Sequence, residues 1–521
     1  MTAERIEISA EEAEAMLVRV KSSLTVEDYR IIKGLVDTHL LLNQVVKEKS
    51  YSIKRLLKML FGQKTEKSGS GQKTTDSRKN GSKDRKSEGH GRNGAAAYSG
   101  AEKMAVGHQS LQHCEPCPAC EDGRLYRQGR PGVVVRITGC APLQGTVYEL
   151  EKLRCNICDK IFTADLPPEA GQQKYDESAT AMLAVLRYGS GLPLNRLARL
   201  QAAMGIPLAA STQWEVTEKT ADKIYPVFNE LIRLAAQGDI VHNDDTTMKI
   251  LEVIAENNTT VPQPSRTGVF TTGILSIGDG RKIAIFFTGR RHAGENLTAL
   301  LARRQTGLDP PIQMCDALSR NTSAEFQTLL ANCLTHGRRN FVDVADNFPQ
   351  ECRYVLETLG QVYRYDAISV KEGMTPKQRM HFHQMNSGPL MEELYSWLER
   401  QLEEKMVEPN SSLGKAIKYM LNHWPELTLF LRIEKAPIDN NICERALKMA
   451  ILHRKNSLFY KTEHGAYIGD LFMSLIHTCF LGKINPFEYL TTLQKHSADL
   501  FAQPHRWLPW NYKENFQPTD C

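Results

Sequence analysis

The sequence predicts a multidomain α+β protein: an N-terminal coiled-coil helix, a zinc ribbon, a helical region, and an α/β core interrupted by a helical insertion. Three observations predict it. Apolar residues recur at 3-then-4 spacing from Ile32 to Leu60, two C-x-x-C knuckles follow, and strand-like runs alternate with a helical one between Asp239 and Cys315.

At 521 residues the chain is too long for one ordinary core. Hydrophobic content of 41% with 24% charged residues fits a globular protein, and no uninterrupted apolar run is long enough to span a bilayer. The opening MTAERIEISAEEAEAM lacks the basic-then-apolar order of a secretion signal, so a cytoplasmic protein without a membrane partner is expected. A net charge of +5 is weak evidence for a nucleic-acid partner; its distribution says more.

Residues 1–62 read as a helical, leucine-zipper-like segment. Ile32, His39, Val46, Ile53 and Leu60 take one core position of a heptad, and Leu35, Leu42, Lys49 and Leu56 the other. Such a seam is buried best by a second helix, which predicts a homodimer or higher oligomer. Residues 63–105 include KTEKSGSGQKTTDSRKNGSKDRKSEGHGR, a basic linker too polar to fold alone. Residues 106–170 hold six of the 12 cysteines. Cys117-x-x-Cys120 and Cys155-x-x-Cys158 suit a tetrahedral structural Zn²⁺, with Cys114 forming a further C-x-x-C pair with Cys117. Between the knuckles, VVVRITG and TVYELEKLR have strand-like composition. Residues 171–237 are helical in pattern, with a break at Gly205-Ile206-Pro207 and a second helix capped by Ser211 or Thr212. A DNA-binding helix-turn-helix fits this, as does any helical hairpin.

Residues 238–345 form the first part of the core. DIVHNDDTTMKILEVI, TGVFTTGILSIG and RKIAIFFTG read as three strands, AGENLTALLARRQ as a helix, and PPIQMCDALSR as a short strand ending at Asp316. Residues 346–436 are an amphipathic helical insertion. Residues 437–475 carry the core's closing helix, and residues 476–521 are a C-terminal segment.

That closing helix, PIDNNICERALKMAILHRKN, starts at a cap from Asp439 or Asn440. Cys443, Ala446, Leu447 and Ala450 make its apolar side, and Asn441, Glu444, Lys448 and Lys455 share the adjoining flank. Two readings fit the flank: a solvated face with an i,i+4 Glu–Lys pair, or a metal-binding carboxylate among phosphate-contacting cations. The strand acids Asp244 and Asp245, the strand-end Asp316 and the helix acid Glu444 supply what a two-metal phosphoryl-transfer site requires, because Mg²⁺ takes carboxylate oxygens and substrate phosphate.

The chain resembles the DDE transposases of the bacterial insertion-sequence sixty-six family. The likeness rests on an ordered set: LKMLFGQKTEK, CPAC…LRCNIC, VHNDDTTMKIL, QMCDALSRN, CLTHGRRNF and DNNICERALKMAILHRKNSLF. It implies an RNase H-like catalytic fold with Asp244, Asp316 and Glu444 as catalytic acids holding two Mg²⁺ (or Mn²⁺) ions. Asp244-Asp245-Thr246-Thr247 stands where the commonest family form has Asp-Glu-Thr-Pro, and of the two adjacent acids Asp244 is the expected ligand. Arg338, Arg339, Lys448, Arg454 and Lys455 are expected to contact DNA phosphates, with His336 beside them. The implied activity is binding of terminal inverted repeats, Mg²⁺-dependent cleavage and 3′-OH strand transfer into double-stranded target DNA, with accessory proteins of the same element as further partners. The alternatives are a catalytically inactive end-binding derivative, a related metal-dependent nuclease, and a zinc-dependent scaffold.

Overall fold

The computed structural model describes residues 10–21, 25, 27–38, 113–115, 124–126, 140–154, 161–171, 173–259, 266–323 and 325–516. The chain divides into two compact units, Met1–Lys64 with Leu143–Cys521, and Thr65–Pro142. The linker, all heptad positions from His39 onward, and the ligand candidates Cys117, Cys120, Cys155 and Cys158 lie outside the described residues. In the smaller unit, Cys114 N–H donates to Leu125 O at 2.8 Å and Leu125 N–H to Glu115 O at 2.9 Å, a pairing that brackets the first knuckle in sequence. In the larger unit, β1 (Lys152–Arg154) pairs antiparallel with β2 (Ile161–Thr163) and brackets the second. Only the end of TVYELEKLR is strand; residues 143–151 have no regular structure.

The core is a five-stranded mixed sheet of β3 (Ile240–Thr247), β4 (Phe270–Gly278), β5 (Arg281–Gly289), β6 (Ile312–Cys315) and β7 (Leu329–Asn332), in the order β5-β4-β3-β6-β7. β3, β4 and β5 pair antiparallel, whereas β6 and β7 run parallel to β3. β3 is shorter than its apolar pattern suggests. It stops at Thr247, and the residues read as its continuation form a helix, Leu251–Thr259. The buried Met248, Ile250 and Val253 pack there against Val269 and Tyr460, so tertiary contact overrides a locally ambiguous pattern.

β5 is an edge strand, and its outward N–H groups are covered. On the helix Glu463–Leu481, Asp470 accepts from Thr288 N–H at 2.6 Å, Ser474 from Phe286 N–H at 2.9 Å, and Thr478 from Ala284 N–H at 3.1 Å. Four residues along a helix advance about 6 Å and two along a strand about 6.6 Å, so the two ladders match. The edge is thereby closed to another chain. This helix runs through position 475, where a boundary between core and C-terminal segment was expected.

The helical region shares the main core. Helix Leu194–Ala203 ends near Gly205, whose φ of +76° suits glycine, and Ala210–Ala235 follows. The second helix starts at Ala209 with no side-chain cap, against the expectation of Ser211 or Thr212; Gln213 instead donates to Leu194 O and Leu208 O, both at 3.1 Å, and clamps the turn. Its Ile224, Val227, Phe228 and Leu231 join Ile274, Phe286 and Leu447 in one buried cluster. The insertion helices, among them Pro349–Lys371, Gly388–Glu403 and Ser412–Asn422, build a second cluster over Ile312, Met314 and Ala331 of β6 and β7. No helix among the described residues is long and apolar enough to cross a membrane.

Candidate active site

Asp244 lies on β3 opposite Gly273 of β4. On the other flank β6 runs parallel, with His242 level with Met314; two residues further along stand Asp244 and, just beyond β6, Asp316. The parallel register therefore sets two acids side by side, Asp244 within β3 and Asp316 just past the carboxyl end of β6.

Side chains alternate across a strand, and the contacts assign the faces of β3. His242 Nδ1 lies 3.0 Å from Asn440 Oδ1, and Arg454 donates to Thr246 Oγ1 at 3.0 Å, so His242, Asp244 and Thr246 face the helix Asn441–Ser457. Asn243 donates to Asn321 O at 2.7 Å on the opposite face. There the Asp245 carboxylate, 2% exposed, meets His292 Nδ1 at 2.9 Å and Arg320 at 3.5 Å. Of the two neighbouring acids, Asp244 is on the side of Glu444.

Glu444 stands in the first turn of that helix, where the N-terminal dipole favours a carboxylate. Three contacts fix the helix on the sheet. Asn440, fully buried, donates through Nδ2 to Asn243 O at 3.1 Å while its Oδ1 meets His242. Cys443 Sγ donates to Gly273 O at 3.3 Å, and Arg454 Nη1 donates to Thr246 and to both oxygens of Thr247. Asn440 precedes the helix without capping it, since its side chain is spent on β3; Asp439 Oδ1 instead accepts from Asn441 N–H at 3.0 Å. Gly273 makes the close approach possible, because a Cβ there would lie 2.9 Å from Leu447 Cδ2.

The acids converge. Burial first, then the Asp316, Asp245 and Glu444 carboxylates, push the Asp244 pKa up to about 7, despite a 2.8 Å hydrogen bond from Asp245 N–H. Asp316 Oδ1 accepts from Leu318 N–H at 3.2 Å and from Asn321 Nδ2. Glu444 Oε1 is buried without a hydrogen-bond partner. Hard oxygen donors, one orphaned and one driven towards protonation by burial and then by its acidic neighbours, fit a divalent cation such as Mg²⁺.

The cations are distributed unevenly. Lys448 and Lys455 are exposed on the Glu444 helix, and Arg339 is exposed on the helix Leu334–Asp343. Arg338 is half-buried beside Tyr363, and burial lowers its pKa. Arg454 is held by β3 through one nitrogen, so it also serves as a clasp between helix and sheet.

Sequence reasoning missed two groups. Asn243, Gln313 and Asn321 form a buried network behind the acids: Gln313 Nε2 donates to Asn243 Oδ1 at 3.0 Å and to Asn321 O at 2.8 Å. Polar residues inside strands were the available signal. His336 lies against the third acid, with Nδ1 3.9 Å from Glu444 Oε1, and Cys333 joins them in a cluster whose ligand atoms are within 4.8 Å of one another. The C-x-x-H spacing of CLTHG was its trace in the sequence.

A mixed sheet with acids on two adjacent strands and a third acid on the helix packed across them defines an α/β protein with a carboxylate-lined site. Residues 172–468, more than half of the chain, match the model of the transposase IS66 family. The chain belongs to this family and is accordingly a DNA-processing protein. It is similar to three proteins of Sinorhizobium fredii (strain NBRC 101917 / NGR234). Uncharacterized protein y4jD is 28% identical over 417 residues, covering 76% of this chain and 78% of the relative. Uncharacterized protein y4hP is 26% identical over 424 residues, covering 76% and 73%. Uncharacterized protein y4qI is 23% identical over 351 residues, covering 65% and 62%.

Proposed function

We propose that the chain is a DDE transposase that binds the terminal inverted repeats of an insertion sequence, cleaves the DNA there, and transfers the freed 3′-OH to target DNA. The observation that carries this reading is the convergence of the Asp244, Asp316 and Glu444 carboxylates beside the central strands β3 and β6, with Asp244 raised to about 7. The strand order β5-β4-β3-β6-β7 supports an RNase H-like core with a helical insertion before the third acid.

In this mechanism Asp244 and Asp316 hold the metal-binding edge from the rigid sheet, and Glu444 completes it from the helix. Two Mg²⁺ ions, when bound, would supply activation of the attacking oxygen and stabilisation of the leaving one. Lys448, Lys455, Arg338, Arg339 and the remaining donors of Arg454 position the DNA backbone, which fixes the scissile phosphate before the reaction. The reaction proceeds by direct attack of water and then of the 3′-OH, so no side chain becomes covalently linked to DNA. Cys117, Cys120, Cys155 and Cys158 would hold a structural Zn²⁺ in the end-binding part, and the heptads would pair two protomers.

The test is a Mg²⁺-dependent assay on labelled DNA carrying the native element end and its flank, comparing wild type with Glu444→Gln. Cleavage and joining by wild type alone is the expected result. Cleavage without joining would favour a nuclease, and end binding without either reaction would favour an inactive derivative. Equal activity of the two proteins would remove Glu444 from the mechanism.

A further inference from the structure

We infer that Cys333, His336 and Glu444 form a second cation site, selective for a thiophilic divalent ion of the Zn²⁺ class, which shares its glutamate with the three-carboxylate site and competes with the hard cation there. The competition rests on the transposase reading; the site itself does not.

Cys333 immediately precedes the helix Leu334–Asp343, and His336 is three residues on, so both reach the same side of its first turn. Glu444 comes to them from the other helix. The Cys333 Sγ, a His336 ring nitrogen and a Glu444 carboxylate oxygen all lie within 4.8 Å of one another, and His336 Nδ1 is 3.9 Å from Glu444 Oε1. Tetrahedral Zn²⁺ holds sulfur at about 2.3 Å and nitrogen or oxygen at about 2.0–2.2 Å, which sets ligand atoms roughly 3.5 Å apart, so a contraction of up to about 1.3 Å brings the three onto one ion.

His336 Nδ1 and Glu444 Oε1, which face each other in this cluster, are buried with no hydrogen-bond partner. Orphaned polar atoms of this kind are costly, and a shared cation satisfies both at once. Cys333 is fully buried and burial pushes its thiol pKa up to about 11; its Sγ accepts the Asn440 N–H at 3.2 Å, which orients the sulfur. The thiol gives its proton to solvent as the sulfur ligates. His336 and Glu444 keep side-chain exposures of 26% and 29%, which leave an entry path and an open coordination position. A sulfur–nitrogen–oxygen set suits Zn²⁺ and is foreign to Mg²⁺, so the two ions are sorted by chemistry while they contend for one carboxylate.

The experiment uses the full chain, stripped of metal and equilibrated at a fixed free Zn²⁺ concentration, with bound zinc per chain measured for wild type, Cys333→Ser, His336→Gln and Glu444→Gln. The cysteines of both C-x-x-C knuckles are common to all four proteins, so the difference isolates this site. Each variant is expected to hold one zinc fewer than wild type, and after Co²⁺ loading Cys333→Ser should lose part of the thiolate-to-cobalt absorption. Equal zinc content in wild type, Cys333→Ser and His336→Gln overturns the inference; the half-exposed His336 keeps the test valid if the buried serine disturbs folding. In a parallel cleavage assay, Zn²⁺ should inhibit the Mg²⁺-supported reaction of wild type and leave that of Cys333→Ser largely intact. Zinc inhibition equal in both would overturn the competition. Should Glu444→Gln cut DNA as well as wild type, the transposase reading fails, while zinc content still decides the site.

Discussion

The Glu444 helix approaches β4 so closely that one methyl group should displace it. In Gly273→Ala the new Cβ would stand 2.9 Å from Leu447 Cδ2 and 3.0 Å from Leu447 Cγ. Carbon atoms in contact prefer about 3.5–4.0 Å, so the helix or the leucine must yield by roughly 0.5 Å or more. Leu447 is 2% exposed and belongs to the main buried cluster, which leaves little room for it to turn aside. Overpacking of this kind costs about 1–3 kcal/mol. Gly273 is also the cross-strand partner of Asp244, so the shift separates Glu444 from the strand acids. A misplacement approaching 1 Å can reduce turnover by about 10²-fold. Urea unfolding should therefore show lower stability, and Mg²⁺-dependent cleavage should fall roughly ten- to a hundred-fold. Adding Leu447→Ala should restore part of the activity by reopening the space, even though it removes buried apolar surface. A Gly273→Ala protein as stable and active as wild type would refute the idea that close helix–sheet contact positions Glu444.

Three further outcomes follow from the same geometry. Asn440→Ala leaves His242 Nδ1 and the Asn243 carbonyl without their partner, and should cost about 1–3 kcal/mol in urea unfolding while weakening divalent-ion binding. In chelator, Asp244→Asn should stabilise the protein at about pH 8 by up to roughly 4 kcal/mol, with the gain shrinking towards pH ~4. The native Asp244 pKa of about 7 lies above its ordinary 3.8, so the folded state binds more protons between those values and wild-type stability falls as pH rises through that window. His453 behaves oppositely. Burial, then Arg187, lowers its pKa to about 4 and neither ring nitrogen has a partner, so stability is lost as pH falls from about 6.5 to about 4. His453→Phe, stacked between Tyr188 and Tyr460, should remove about 3 kcal/mol of that acid sensitivity in unfolding curves compared at about pH 4 and about pH 8.

Much of this site was legible because periodicity and chemistry agreed. The buried face of the Glu444 helix, with Cys443, Ala446, Leu447 and Ala450, follows from spacing alone, and the antiparallel meander of β3, β4 and β5 from apolar runs with a Gly/Asp turn. β7 was illegible: four residues, LLAN, are too few to show alternation, and their strand form comes from pairing with β6. The end of β3 was misjudged because MKILEVI suits strand or helix, and packing against Tyr460 decides. Asn440 looked like a cap, the commonest use of asparagine before a helix; a buried histidine on a neighbouring strand claimed it instead, a contact separated by 198 residues. His336 looked like a phosphate ligand among arginines, and only the fold brings it to Glu444.

The proposed role of Asp244, Asp316 and Glu444 is to hold the divalent ions that cut and join DNA. Its most direct test is the anomalous diffraction of Mn²⁺ in crystals of the chain bound to its element-end DNA, with Zn²⁺ excluded. Manganese peaks are expected among Asp244, Asp316 and Glu444 beside the scissile phosphate, and should be lost in Asp244→Asn. Manganese bound elsewhere on a cleavage-competent complex, with these three carboxylates bare, would contradict it.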